Sequence, residues 1–403
     1  MKRFKVNLHA LLGSSLLSVL TLGTSVEEVA AQPNPDTLMR FADWCEHKID
    51  LTPGARHIVE ALLWTAGTQD CDRADEILSD LTEFNLSGSH IVDLQPLSTL
   101  PNLTKIRIDG GQIVDLRPLA QLTNLTGFAI DNNQVVDVAP LTGLTNLTWL
   151  HLNNNQIVNV QPLATLNNLE QLVLTGNQIV DVEPLAVLSN LTWLSVDDNQ
   201  VVDVSPLAAL EKLERLYLSF NQIENIQSLG PLVNLEWLYL DHNQISDIQT
   251  LALLENLAWL DLSDNQIVDI QPLSTLTQLG WLASGNNQII DVQSLSTLNN
   301  LRWLSLSDNQ IVDVQPLADL TNLKQLYLND NQIVDVQPLS TLNNLERLFL
   351  SNNQIEDIQP LSELQRLTFL DVAGNPLRDR TCPVQPETIC QFESQQGEDG
   401  NVD

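Results

Sequence analysis

The sequence repeats itself every 22 residues, and that period constrains the fold more than any other feature. One turn reads Leu147-Thr-Trp-Leu150-His-Leu152-Asn-Asn-Asn155-Gln-Ile157-Val-Asn-Val160-Gln-Pro162-Leu163. One column holds Asn133, Asn155, Asn177, Asn199, Asn221, Asn243, Asn265, Asn287, Asn309, Asn331, Asn353 and Asn375, with Ser89 and Gly111 in its place in the first two turns. Fourteen turns run without insertion from about Leu81 to Pro376. So short a unit cannot bury its own leucines, so stacked neighbours must share one continuous core.

Each column has a physical task. Leu-x-Leu alternates with period 2 and predicts a short strand with leucines facing inward. The Asn after it can satisfy backbone groups that a turn would orphan, and can ladder with the Asn of the next turn. In the Ile-x-Asp-Val-x-Pro-Leu stretch, Asp caps the turn and Pro presets φ. The following Leu-x-x-Leu closes the other side as a 3₁₀ or irregular turn. The Asn-Gln-Ile-x-Asp-(Val/Ile)-x-Pro-Leu form resembles the 22-residue leucine-rich repeats of internalins and related bacterial surface proteins. The resemblance implies an α/β solenoid, a horseshoe with a concave parallel sheet and a 3₁₀ or irregular convex side. It also implies a macromolecule-binding role, without naming the ligand.

The flanks read as export and capping segments. Residues 1–31 form a signal peptide, with Lys2, Arg3 and Lys5 ahead of an apolar stretch and Val29-Ala30-Ala31 at the cleavage point. Gly13, Ser14, Ser15 and Gly23 break that stretch and disfavour a membrane span. The expected location is therefore secreted, periplasmic or cell-surface. Residues 32–80 predict a helical N-terminal cap. Thr52-Pro53 opens one helix with an Ile58, Leu62 and Leu63 stripe, and Asp72 caps a second that runs to about Leu81. Residues 81–376 are the repeats, 377–393 a C-terminal cap, and 394–403 an acidic tail expected to be disordered. Four cysteines lie outside the repeats. The stacked strands would hold the two pairs about 60 Å apart, which leaves Cys45–Cys71 and Cys382–Cys390 as the disulfides, free thiols being the alternative.

Fixed spacing leaves no long loop to carry a site, so function falls to strand positions that vary within the frame. The column before the first leucine reads Glu83, Lys105, Gly127, Trp149, Gln171, Trp193, Arg215, Trp237, Trp259, Trp281, Trp303, Gln325, Arg347, Phe369, and holds six of the eight tryptophans. The column between the leucines holds all three tyrosines, Tyr217, Tyr239 and Tyr327, with His151 and Phe349. Solvent-facing positions are rarely Trp, and Trp and Tyr are typical of interfaces. The candidate ligand-binding residues are Trp149, Trp193, Arg215, Tyr217, Trp237, Tyr239, Trp259, Asp261, Trp281, Trp303, Tyr327 and Arg347. Asp197, Asp241 and Asp371 join the polar rim. The leading expectation is a protein partner on this concave face. The alternatives are carbohydrate lying on the ring faces, and a scaffold whose rings only stack on one another.

The formal net charge of −33 disfavours nucleic acid and anionic membranes and suits a cationic or neutral partner. The Asp column (Asp93, Asp115, Asp137, Asp181, Asp203, Asp247, Asp269, Asp291, Asp313, Asp335, Asp357) invites a calcium reading. Asn159 and Asn225 interrupt it without disturbing the repeat, which favours turn capping. The sequence carries no hydrolase, zinc-protease, P-loop or dinucleotide motif. It is expected to be a monomeric binding protein without catalysis, cofactor or metal. Ser284, where an inward leucine belongs, reads as a local packing change.

Overall fold

The structure, a computed structural model, describes residues 38–88 and 91–393. The signal peptide, the acidic tail and Ser89 lie outside the described residues.

Fifteen parallel strands form one sheet in chain order. The first three, β1 (Glu83–Ser87), β2 (Lys105–Asp109) and β3 (Gly127–Asp131), have five residues each. The next eleven have three each, from β4 (Trp149–His151) through β6 (Trp193–Ser195), β7 (Arg215–Tyr217), β8 (Trp237–Tyr239), β9 (Trp259–Asp261), β10 (Trp281–Ala283) and β11 (Trp303–Ser305) to β14 (Phe369–Asp371). From β1 to β14 every strand pairs with its own counterpart one period on, as in Trp237↔Trp259↔Trp281↔Trp303. A column in the sequence is thus a line across the sheet. The chain returns through 3₁₀ helices such as Gln161–Thr165, most entered at the predicted Pro-Leu, with Ser228, Thr250 and Ser294 standing in for the proline in three of them. Leucines such as Leu150, Leu152, Leu238 and Leu260 are fully buried in one core that runs the length of the solenoid. Parallel sheets are usually covered on both faces. Here the core covers only one, and the concave face stays open.

The asparagine column is buried, apart from the half-buried Asn265, and bonds to backbone on all sides. Asn155 Nδ2 donates to the carbonyls of Ile130, Leu152 and Asn153, and its Oδ1 accepts the Val135 N–H at 3.0 Å. The expected Asn-to-Asn ladder is corrected by this pattern. Successive asparagines connect through shared carbonyls of the strand ends, because both amide protons and the oxygen are already taken by backbone. The residue before each Asn adopts a left-handed conformation, which suits the Asn, Asp, Gly and His found there. Phe220, at φ 53°, is the bulky exception.

The Asp column caps turns. Asp137 Oδ1 accepts the Ala139 N–H at 2.9 Å, and Asn159 and Asn225 make the equivalent bond to Gln161 and Gln227 at 2.9 Å. An amide oxygen serves as well as a carboxylate, so the task is geometric.

Three helices cover the first repeat: α1 (Phe41–Glu46), α2 (Pro53–Ala66) and α3 (Cys71–Leu78). Thr52 caps α2 as expected, its hydroxyl accepting the Ala55 N–H. Two expectations are corrected. Asp70, not Asp72, caps α3, and the helix ends at Leu78. Asp72 sits inside the first turn and pairs with Arg40. Helix α1 carries no sequence signal of a Ser, Thr or Asp at its start; Asp43 Oδ2 instead accepts the Arg40 N–H, and Phe41, Trp44 and Cys45 bury its inner face. Cys45–Cys71 therefore ties α1 to α3. Cys382–Cys390 pins the far end, where β15 (Cys390–Gln391) adds an unanticipated strand beside β14. Among the described residues, no helix is long and apolar enough to cross a membrane.

Candidate binding face

The open face presents both variable columns, so its relief follows from side-chain size. From β6 onward the rings form a continuous strip. Trp193 meets Tyr217 at 6.0 Å, Tyr217 stacks on Tyr239 at 4.9 Å, and Tyr239 crosses diagonally to Trp281 at 6.3 Å. Trp237, Trp259, Trp281 and Trp303 follow one another at 5.4, 5.2 and 4.3 Å. The strip continues through Tyr327 to Phe349 and Phe369. With strands about 4.8 Å apart, it extends about 38 Å across the sheet.

The orientation of the rings limits their chemistry. Trp281 and Trp303 are 9° from parallel, as are Tyr327 and Phe349. Tyr217–Tyr239 and Trp259–Trp281 stack likewise, and in each such pair one ring covers a face of the next, while the remaining pairs are tilted by 31–44°. Arginines occupy other faces. The Arg215 guanidinium lies 5.3 Å from the Trp193 ring and 4.6 Å from the Trp237 ring, and Arg347 lies 5.2 Å from Phe349 and 5.4 Å from Phe369.

Carboxylates flank the tyrosine stack. Asp197 accepts from Ser195 Oγ at 2.9 Å and from the Ser219 N–H at 2.8 Å. Asp241 accepts from Ser219 Oγ and meets His242 Nδ1 at 3.0 Å. Asp261 accepts the Ser263 N–H at 2.9 Å. Burial raises Asp197 and Asp261 from the usual carboxylate range to about 6, outweighing the donors that favour the ionised form. Burial also raises the Tyr217 and Tyr239 hydroxyls, with the nearby aspartates adding to the effect at Tyr239.

Trp149 stands apart. Gln171 and Val173 separate it from the strip, and its indole lies over Gly127, where a Cβ would come within 1.9 Å of the ring. Arg107 covers it at 4.7 Å and His151 sits 5.3 Å away, with its imidazole held below its usual value by burial. A cleft of about 570 Å³ lies away from both groups, beside the N-terminal cap, lined by Leu38, Trp44 and Arg117.

The comparisons with known proteins agree with this geometry. The family described as Leucine Rich repeats (2 copies) matches residues 145–187, 233–274, 299–341 and 343–380, and Leucine rich repeat matches 189–245. The internalin InlF of Listeria monocytogenes is 36% identical, with a TM-score of 0.73 over 77% of this chain and 93% of that one. The chain belongs to the leucine-rich-repeat family, in its bacterial internalin-like class. A leucine-rich-repeat protein of Leptospira interrogans is 25% identical, with a TM-score of 0.69 over 76% of this chain and 88% of that one. The functional domain of Listeria monocytogenes InlJ shares the fold at 23% identity, with a TM-score of 0.67 over 85% and 77%. No curated protein sequence matches the chain. The internalin-like fold is a scaffold for interactions.

Of the candidate residues of this internalin-like chain, all but Trp149 fall on the strip or against it. Column reading left Phe349 and Phe369 out of the candidate set, although both stood in the two columns. It also left out Phe220, half exposed and stacked on His242 at 3.9 Å, which lies in a column otherwise filled by small or polar residues. Ser284 is fully buried in the leucine line between Leu262 and Leu306, and its hydroxyl has no hydrogen-bond partner. A nucleophile needs access and a base, and this hydroxyl has neither. Ser284→Ala removes an unsatisfied buried group, so unfolding by denaturant should show unchanged stability or a gain of up to about 1 kcal/mol. A loss beyond about 1 kcal/mol would show that the hydroxyl is bonded.

Proposed function

We propose that this chain is an exported recognition module that binds a protein partner through the concave aromatic face and performs no chemistry itself. One observation carries the reading: a ring strip about 38 Å long lies on the uncovered face of a parallel sheet. The ring orientation favours protein over carbohydrate. A sugar stacks on a free ring face, whereas Trp281 and Trp303 cover each other at 4.3 Å. Paired cysteines at both ends and the N-terminal leader support export to an oxidising compartment.

The test is a Trp259→Ala/Trp281→Ala double variant of the mature chain, assayed for capture of a cell-surface protein against the unaltered chain. The expected result is a fall in affinity on the order of tenfold or more, because central aromatic contacts carry most interface energy. Thermal unfolding should change little, since both rings lie outside the leucine core. Undiminished capture would sink the proposal. A collapse of stability with no partner found would assign the strip to a scaffold instead.

A further inference from the structure

We propose that the part of this face between β6 and β9 recognises an arginine side chain of the partner, seated against the Tyr217–Tyr239 stack and held by Asp197, Asp241 and Asp261. The inference rests on the protein-binding reading above and adds the chemistry of the partner.

The placement follows from register. Tyr217 and Tyr239 stand side by side between the leucines of β7 and β8, with Ser195 and Asp261 as their neighbours on β6 and β9. Two residues further along the chain come Asp197, Ser219 and Asp241. Three carboxylates therefore border two parallel phenol rings, with Asp197 and Asp241 two strands, or about 10 Å, apart. The other ionisable groups near this corner are Asp198, Asp264 and His242, with Arg215 close to Tyr217 alone, so the acids outnumber the bases.

The free protein leaves that charge uncompensated. Among the described residues, no lysine or arginine lies within ion-pair distance of the three carboxylates; Asp241 has only His242. Arg215 is turned away to its place between Trp193 and Trp237. Ser195, Ser219 and Ser263 orient the carboxylates without neutralising them. The Tyr217 and Tyr239 hydroxyls lie within electrostatic reach of these carboxylates, and a guanidinium can donate to a phenol oxygen while its N–H fork pairs with an acid. The chain already shows that this sheet accommodates a guanidinium against rings, at Arg215 and again at Arg347. An overall charge of −33 adds long-range attraction for a basic partner.

The probe is a blocked hexapeptide with Arg-Phe at its centre, and the same peptide with citrulline or glutamate for arginine, titrated into the mature chain by tryptophan fluorescence. Citrulline keeps the planar shape and loses the charge. At about pH 7.5 the arginine peptide should bind on the order of tenfold tighter than the citrulline peptide, and the glutamate peptide weakest. The preference should vanish in Asp197→Asn/Asp261→Asn and shrink at about pH 5, where both carboxyls are mostly neutral. Equal binding of arginine and citrulline, no binding of the arginine peptide, or a preference that survives the double variant overturns the proposal. None of these outcomes touches the aromatic reading, which stands or falls on Trp259→Ala/Trp281→Ala.

Discussion

Asn221→Ala should lower the stability of the folded chain by about 3–4 kcal/mol, although it removes no apolar contact. The Asn221 amide makes four bonds to backbone. Its Oδ1 accepts the Val201 N–H at 2.9 Å, and its Nδ2 donates to the carbonyls of Val196, Leu218 and Ser219. Alanine leaves the buried Val201 N–H without that acceptor, at about 1–3 kcal/mol for a lost buried partner. The carbonyls suffer less, because Val196 also accepts from Asn199 and Leu218 from Asn243. Asn221→Asp should be at least as damaging, since a carboxylate keeps the acceptor and sets negative oxygen against the carbonyls. Asn168→Ala, which loses one exposed bond to the Thr145 carbonyl, is the contrast and should cost under about 1 kcal/mol. Guanidinium unfolding of the three variants, with hydrogen exchange at Val201 as a local readout, decides the matter. A cost below about 1 kcal/mol at Asn221 would mean that the column is not a backbone staple.

That same column explains what was legible in the sequence. A rule written twelve times over identifies its own period, and a strict period fixes register, strand order and the open face together. Features written once carry no such redundancy. Asp70 and Asp72 are both chemically able to cap α3, and only the path of the chain selects Asp70. Strand β15 has no Leu-x-Leu, pairs 20 residues after its partner instead of 22, and lies in the segment closed by the C-terminal disulfide. At the binding face, columns give neighbours along one line and hide diagonals. Tyr239 against Trp281, and the near-parallel stacking of Trp281 on Trp303, arise from side-chain rotation that spacing does not encode. The separation of Trp149 was readable, since Gln171 and Val173 break both columns at once. The desolvation of Asp197 and Asp261 was not, because it depends on how deeply the folded face buries each carboxyl.

The contribution of Asp197 and Asp261 to stability should therefore fall as pH rises from about 4 through about 6, and Asp197→Asn/Asp261→Asn should abolish that contribution. Both carboxyls have folded values of about 6 against an ordinary value of 3.8. Below 3.8 each is protonated whether the chain is folded or not, and contributes no difference. Between 3.8 and about 6 the unfolded chain sheds a proton that the folded chain retains, so unfolding gains ground as pH rises. Above about 6 the full penalty applies, up to about 3 kcal/mol for each carboxylate, since a tenfold change in proton affinity is worth about 1.4 kcal/mol. Asparagine keeps an acceptor for the Ser219 and Ser263 N–H groups and carries no charge. The double variant should gain up to about 6 kcal/mol at about pH 7.5, twice the single penalty, and no more than about 1 kcal/mol at about pH 4. Other acids, such as Asp115 and Asp203, move the opposite way, so the difference between variant and parent at each pH is the quantity to measure. An equal gain at both pH values would place its origin in packing. A gain confined to neutral pH, together with loss of the arginine preference, would mean that the free chain bears the cost of two uncompensated carboxylates which its partner neutralises.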